Sequence, residues 1–119
     1  MLNYLASPYS RYPGGREKAF KEACKKAAEL MESGLCVFCP IAHSHPIEAE
    51  TTMEIKDGDW WLNQDFAVLK HCTRLFVYCM PGWAESYGVR KEIEFARINK
   101  IPIEYLDYYE QTGSDRAAA

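Results

Sequence analysis

The chain has 119 residues, 48% hydrophobic and 13% aromatic, enough to bury one core without disulfides or structural metal. Seventeen acidic against 14 basic side chains give a formal charge of -3, so there is no basic field to grip a nucleic-acid backbone, and no apolar run nears 18 residues. Nucleic-acid and membrane partners are thereby argued against, and a small-molecule ligand is expected in a single domain over residues 1–109.

Leu2 to Ala6 is a short apolar run stopped by Ser7-Pro8, as suits a buried strand ending in a loop that continues to Gly15. The start, Met1 to Pro8, turns polar too quickly for a signal peptide, which predicts a cytoplasmic protein. From Arg16 to Glu32 the apolar positions Phe20, Ala23, Cys24, Ala27, Leu30 and Met31 recur at helical spacing, with Gly34 as the stop. Leu35 to Cys39 reads as a second buried strand closed by Pro40. Residues 40 to about 57 show no sustained period and read as a long functional loop. Asp57-Gly58-Asp59 can cap a helix running to about His71, followed by a strand from Arg74 to Cys79 and a break at Pro81-Gly82. A last helix is predicted from about Ser86 to Ile98 and a last strand from Ile101 to Leu106, with Glu110 to Ala119 as a poorly ordered tail.

Strands alternating with helices imply a doubly wound α/β fold, a Rossmann-like parallel sheet of four to five strands flanked by helices. Ligands of such sheets bind outside the carboxyl ends of the strands, which here feed Ser7 to Gly15, Pro40 to Pro46 and Met80 to Gly88. The cysteines, Cys24, Cys36, Cys39, Cys72 and Cys79, are odd in number and sit mostly in apolar segments, so they read as reduced thiols.

Two carboxylates break the local pattern. Val89, Ile93 and Ala96 define an apolar stripe that Glu92 completes, although Arg90, Lys91, Glu94 and Arg97 already occupy the outward positions. In the preceding helix Asp65 intrudes in the same way on Leu62, Phe66 and Leu69. An unpaired buried carboxylate costs several kcal/mol or is driven to neutralise, so two in one small domain need a reason. The plain one is a position at the edge of the stripe with an ion pair to Arg74, Arg90 or a helix N-terminus. The functional one is chemistry at a glycosidic carbon, with one carboxylate as nucleophile and the other as acid, base or orienter.

Tyr4-Leu5-Ala6-Ser7-Pro8, Asn63-Gln64-Asp65 and Ser86-Tyr87-Gly88-Val89-Arg90-Lys91-Glu92-Ile93, in that order and spacing, resemble the nucleoside 2-deoxyribosyltransferase superfamily over roughly residues 3 to 106. That superfamily contains base-exchanging transferases and hydrolases of nucleoside 5'-monophosphates. The resemblance implies Glu92 as nucleophile, Asp65 as an acid that positions the sugar or assists the departing base, and Tyr4 as the residue that orients the nucleophile. It also implies no metal or cofactor, and a homodimer or homotetramer. Ser86 stands where the transferases usually carry a sugar-binding aspartate and the nucleotide hydrolases a phosphate-contacting serine, a departure that favours a phosphorylated substrate. A serine hydroxyl and the free N–H groups near Gly88 at a helix start would attract a phosphate that an aspartate would repel. Ser7, Ser10, Arg11 and Arg16 offer further donors, with solvated surface the equal alternative for the two arginines.

The expected reaction is N-glycosidic cleavage of a nucleoside 5'-monophosphate; the alternatives are base exchange between nucleosides, a non-catalytic nucleotide-binding module, or an interaction subunit. Asp65, Tyr9 and His43 are the candidates for protonating the leaving base, and Tyr9, Trp60 and Trp61 for stacking on it, while Trp83 is placed to cover the site. Cys36-x-x-Cys39 with His43 and His45 has a superficial zinc spacing, but residues i and i+3 of a strand point to opposite faces.

Overall fold

A computed structural model describes residues 1–52 and 57–109. Its elements in chain order are β1 (Asn3–Ala6), α1 (Arg16–Glu32), β2 (Val37–Phe38), α2 (Pro40–Glu48), α3 (Gly58–Leu69), β3 (Arg74–Tyr78), α4 (Tyr87–Ile98) and β4 (Ile103–Leu106). The four strands form one parallel sheet in the order β2-β1-β3-β4, with Tyr4 opposite Phe38 on one side and Leu75 on the other. This is the expected α/β architecture.

Side-chain alternation along β1 and β3 divides the core. Leu5, Phe76 and Tyr78 face α1 and α2, where Ala19, Ala23 and Ala27 form a ridge of small residues that lets α1 lie close to the sheet. Tyr4, Ala6, Leu75 and Val77 face the other way, onto Leu69, Val89, Ile93 and Ala96 of α3 and α4. Among the described residues no helix is long and apolar enough to cross a membrane.

Two expectations are corrected. The stretch after β2 is not all loop, since Pro40–Glu48 is helical, with Pro40 in the first turn, where the missing N–H removes no intrahelical bond, and Pro46 inside. His43 and His45 therefore sit on a helix. The second strand is also shorter than predicted, two residues rather than five. Residues 110–119, expected as a tail, lie outside the described residues.

The order of the strands creates the crevice. The chain leaves β1 toward α1 on one face of the sheet and leaves the adjacent β3 toward α4 on the other, so the two loops separate at a topological switch point. Near their tips the loops touch: Gly82, at φ 91°, lies so close to Arg11 that a Cβ would run into the Arg11 carbonyl oxygen.

Candidate active site

A cavity of about 250 Å³ opens at this switch point, bounded by the β1–α1 loop, the starts of α2 and α4, and one side of α3. Local sequence positions its walls. Asp57 caps α3 by accepting from the Trp60 N–H at 2.9 Å, and Asp65, about two turns further along, lines the cavity. Ser86 caps α4 by accepting from the Val89 N–H at 3.3 Å, leaving the first turn of that helix, with Tyr87 and Gly88, at the cavity wall.

Glu92 lies on the buried stripe of α4 at 4% exposure and still lines the cavity. The hydroxyl of Tyr4, itself wholly buried in β1, donates to Glu92 Oε2. Arg74 is engaged elsewhere, with Asn3 at 2.9 Å and Glu104 at 3.4 Å, and Arg90 is exposed, so among the described residues neither arginine pairs with Glu92. Burial pushes the Glu92 carboxyl up to about 8; the Tyr4 hydrogen bond opposes that rise and the nearby Asp65 adds to it. Asp65 is pushed up to about 7 by burial. Tyr4 is raised by burial and then by Glu92, so it remains a donor. Two neighbouring carboxyls that both hold protons unusually tightly can exist as one acid and one anion, the division of labour that acid-assisted displacement requires.

Across the cavity the groups differ. Ser7, Tyr9, Ser10, Arg11 and Arg16 come from the β1–α1 loop and the first residue of α1. The Ser7 hydroxyl is buried and has no hydrogen-bond partner among the described residues, so it has bonding capacity left for a ligand. Arg16 reaches Ser10 at 3.4 Å and sits 5.3 Å above the Tyr9 ring.

Of the residues singled out from sequence, Glu92, Asp65, Ser7, Tyr9, Arg11, Ser86 and Gly88 thus converge on one cavity. Tyr4 stands behind it and acts through Glu92. His43 is turned away, packing on Phe38 at 5.6 Å, and does not line the cavity. Trp61 lines it, while Trp60 meets the edge of Trp61, and Trp83 packs on Tyr105 instead of covering the site. Sequence reasoning missed Ser44 and Glu48, because both lie on the unrecognised α2, and missed Tyr87, whose hydroxyl donates to Asp59 at 2.8 Å. Cys36 is exposed and Cys39 buried, and no group of metal-binding side chains assembles among the described residues.

Residues 2–107 match the family model described as a domain of unknown function, DUF1937. The chain belongs to that family. No curated protein sequence matches this DUF1937 domain. Among solved structures it is similar to a 2-deoxyribosyltransferase from the psychrotolerant bacterium Bacillus psychrosaccharolyticus, at 18% identity and a TM-score of 0.63, over 94% of this chain and 76% of that one. The two proteins share a fold.

Proposed function

We propose that this DUF1937 domain is an enzyme that opens the N-glycosidic bond of a deoxyribonucleoside and transfers the sugar, with Glu92 as nucleophile. The observation that carries the reading is a carboxylate held on an apolar helix stripe, oriented by a buried tyrosine, at the wall of a cavity it shares with a second carboxyl group. The fold held in common with a 2-deoxyribosyltransferase supports transfer over the hydrolysis expected from sequence.

In the first step a Glu92 oxygen bonds to C1' as the C1'–N bond breaks, and the bonding pair leaves with the base. Asp65, which burial raises to about 7 so that about half of it keeps its proton at neutral pH, gives that proton to the departing nitrogen. In the second step a nitrogen of an incoming base attacks C1', its proton passes to the Asp65 carboxylate, and Glu92 is released as the carboxylate. The Tyr4 hydroxyl holds Glu92 in the attacking orientation throughout. Assembly as a homodimer or homotetramer belongs to the same proposal, and light scattering reads it directly.

The test is incubation of a deoxynucleoside with a different free base. A new nucleoside, absent with Glu92→Gln, is the expected result; free sugar with no new nucleoside would reject transfer.

A second reading, hydrolysis of a nucleoside 5'-monophosphate, is favoured by the unpaired Ser7 hydroxyl together with the α4 N-terminus and the two arginines of the opposite wall. Base release from 5'-monophosphates in preference to the unphosphorylated nucleosides would select it.

A further inference from the structure

Three side chains from three different elements form a hydrogen-bonded line ending at the cavity. Glu17 of α1 lies 3.0 Å from Nε2 of His45 on α2, and Nδ1 of the same ring lies 2.6 Å from the hydroxyl of Tyr9 in the β1–α1 loop. The imidazole is fixed in plane by stacking on Phe20 at 4.2 Å and 19°. Tyr9 lines the cavity and His45 does not, so the line runs outward from the ligand space through the imidazole to a mostly exposed carboxylate.

Hydrogen-bond bookkeeping then sets the polarity of the hydroxyl. An ionised Glu17 can only accept, so the Nε2 of a neutral ring carries the hydrogen and Nδ1 has only a lone pair. Against a neutral ring the phenol donates to Nδ1. Its oxygen retains lone pairs and has no proton left to offer the cavity. Glu48, which with Arg16 of α1 also faces Tyr9, is a second acceptor on that wall. Both are on the α1 and α2 side, across from Glu92 and Asp65, so they meet a part of the substrate remote from C1'. An ionised phosphate only accepts and cannot satisfy them, whereas a heterocycle bearing an amino group can.

We infer that Tyr9 is a specificity-determining residue for the base, with His45 and Glu17 as the positioning residues that make its hydroxyl an acceptor, and that the site takes amino-substituted bases over their oxo counterparts. This rests on the glycosidic reading of the site, and it names the class of base involved.

Calorimetric binding of free bases tests it without turnover, using the pairs adenine and hypoxanthine, and cytosine and uracil. The amino member of the tighter-binding pair is expected to bind roughly tenfold more strongly, as one hydrogen bond made against one lost allows. Tyr9→Phe brings the ratio close to one. His45→Phe keeps the ring stack on Phe20 but frees the phenol proton, so the ratio falls although Tyr9 is still present, a change that loss of packing alone would not produce. A wild-type ratio near one, or a ratio unchanged in Tyr9→Phe, overturns the inference. Those outcomes alongside Glu92-dependent sugar transfer leave the reaction standing and remove only the base preference; failure of every base to bind, with no transfer, removes both.

Discussion

The two faces of the sheet follow different rules. On the α1 face the contact is apolar and small, with Ala19, Ala23 and Ala27 against Leu5 and Phe76. On the α3 and α4 face a similar apolar layer is interrupted by Glu92, buried beneath Tyr4, and by Asp65 beside it. Helices on either face would cover the strands equally well, so the difference is not one of packing geometry. One layer is optimised for contact, while the other keeps two acids in surroundings that resist their ionisation.

Removing the central acid should have the largest effect. Glu92→Gln keeps the size of the side chain and a carbonyl to accept from Tyr4 but takes away the nucleophile, so turnover should fall by about 10³-fold or more with ligand binding retained. Single-turnover assay and calorimetry on the same preparation check it. The opposite face gives the contrast. Ala23→Leu, at a fully buried position of α1, overfills the contact with the sheet and should cost about 1–3 kcal/mol in a urea melt. It should leave the pH dependence of activity where it was, because no group near the carboxyl pair has changed.

Tyr4→Phe tests the link between β1 and α4. The hydroxyl stabilises the Glu92 anion, so without it the carboxyl, already at about 8, moves higher still. With the Glu92 anion attacking and the Asp65 acid assisting, kcat/KM in the wild type rises with pH to about 7, is level to about 8 and falls above it. The variant's falling limb should be displaced to higher pH, with a loss of about tenfold at neutral pH, the size expected for one charge-assisted hydrogen bond. A pH–rate curve that falls but does not move would show that Tyr4 serves packing alone.

The α4 half of the site was readable in sequence because helical periodicity makes an inward acid conspicuous among Val89, Ile93 and Ala96. The capping serine and the loop arginines were readable for a similar local reason, their place at strand ends and helix starts. The α2 half was not. Pro40–Glu48 presents two prolines, two histidines and a serine with no apolar stripe, and only Pro40 and Ile41 are buried, so the helix owes its stability to tertiary contact with α1 and β1 and not to its own pattern. Without that helix, His45 could not be placed against partners 28 and 36 residues away, and the line from Glu17 to Tyr9 stayed invisible. His43 and Trp83 show the converse: a residue type suited to chemistry, in a suitable segment, can still turn onto an ordinary aromatic neighbour.

The smallest expected effect separates the cost of the acids from their use. Asp65 has its carboxyl raised from 3.8 to about 7 by burial, so the folded protein binds that proton more tightly than the unfolded chain does. Its contribution to stability is therefore complete at acidic pH below its ordinary value and is lost as pH rises through about 7. Asp65→Asn cannot ionise and loses nothing over that interval. The melting temperature of the variant relative to wild type should thus climb from pH 4 to pH 8 and then level off. Because Asp65 is only partly buried, water screens its anion and the gain should be no more than about 1 kcal/mol, less than full burial would give. Ala23→Leu, on the face without inward acids, should stay a constant interval below wild type across the same range. Parallel curves for both variants would mean that Asp65 ionises freely in the folded chain, and the two faces would then differ in composition but not in their response to pH.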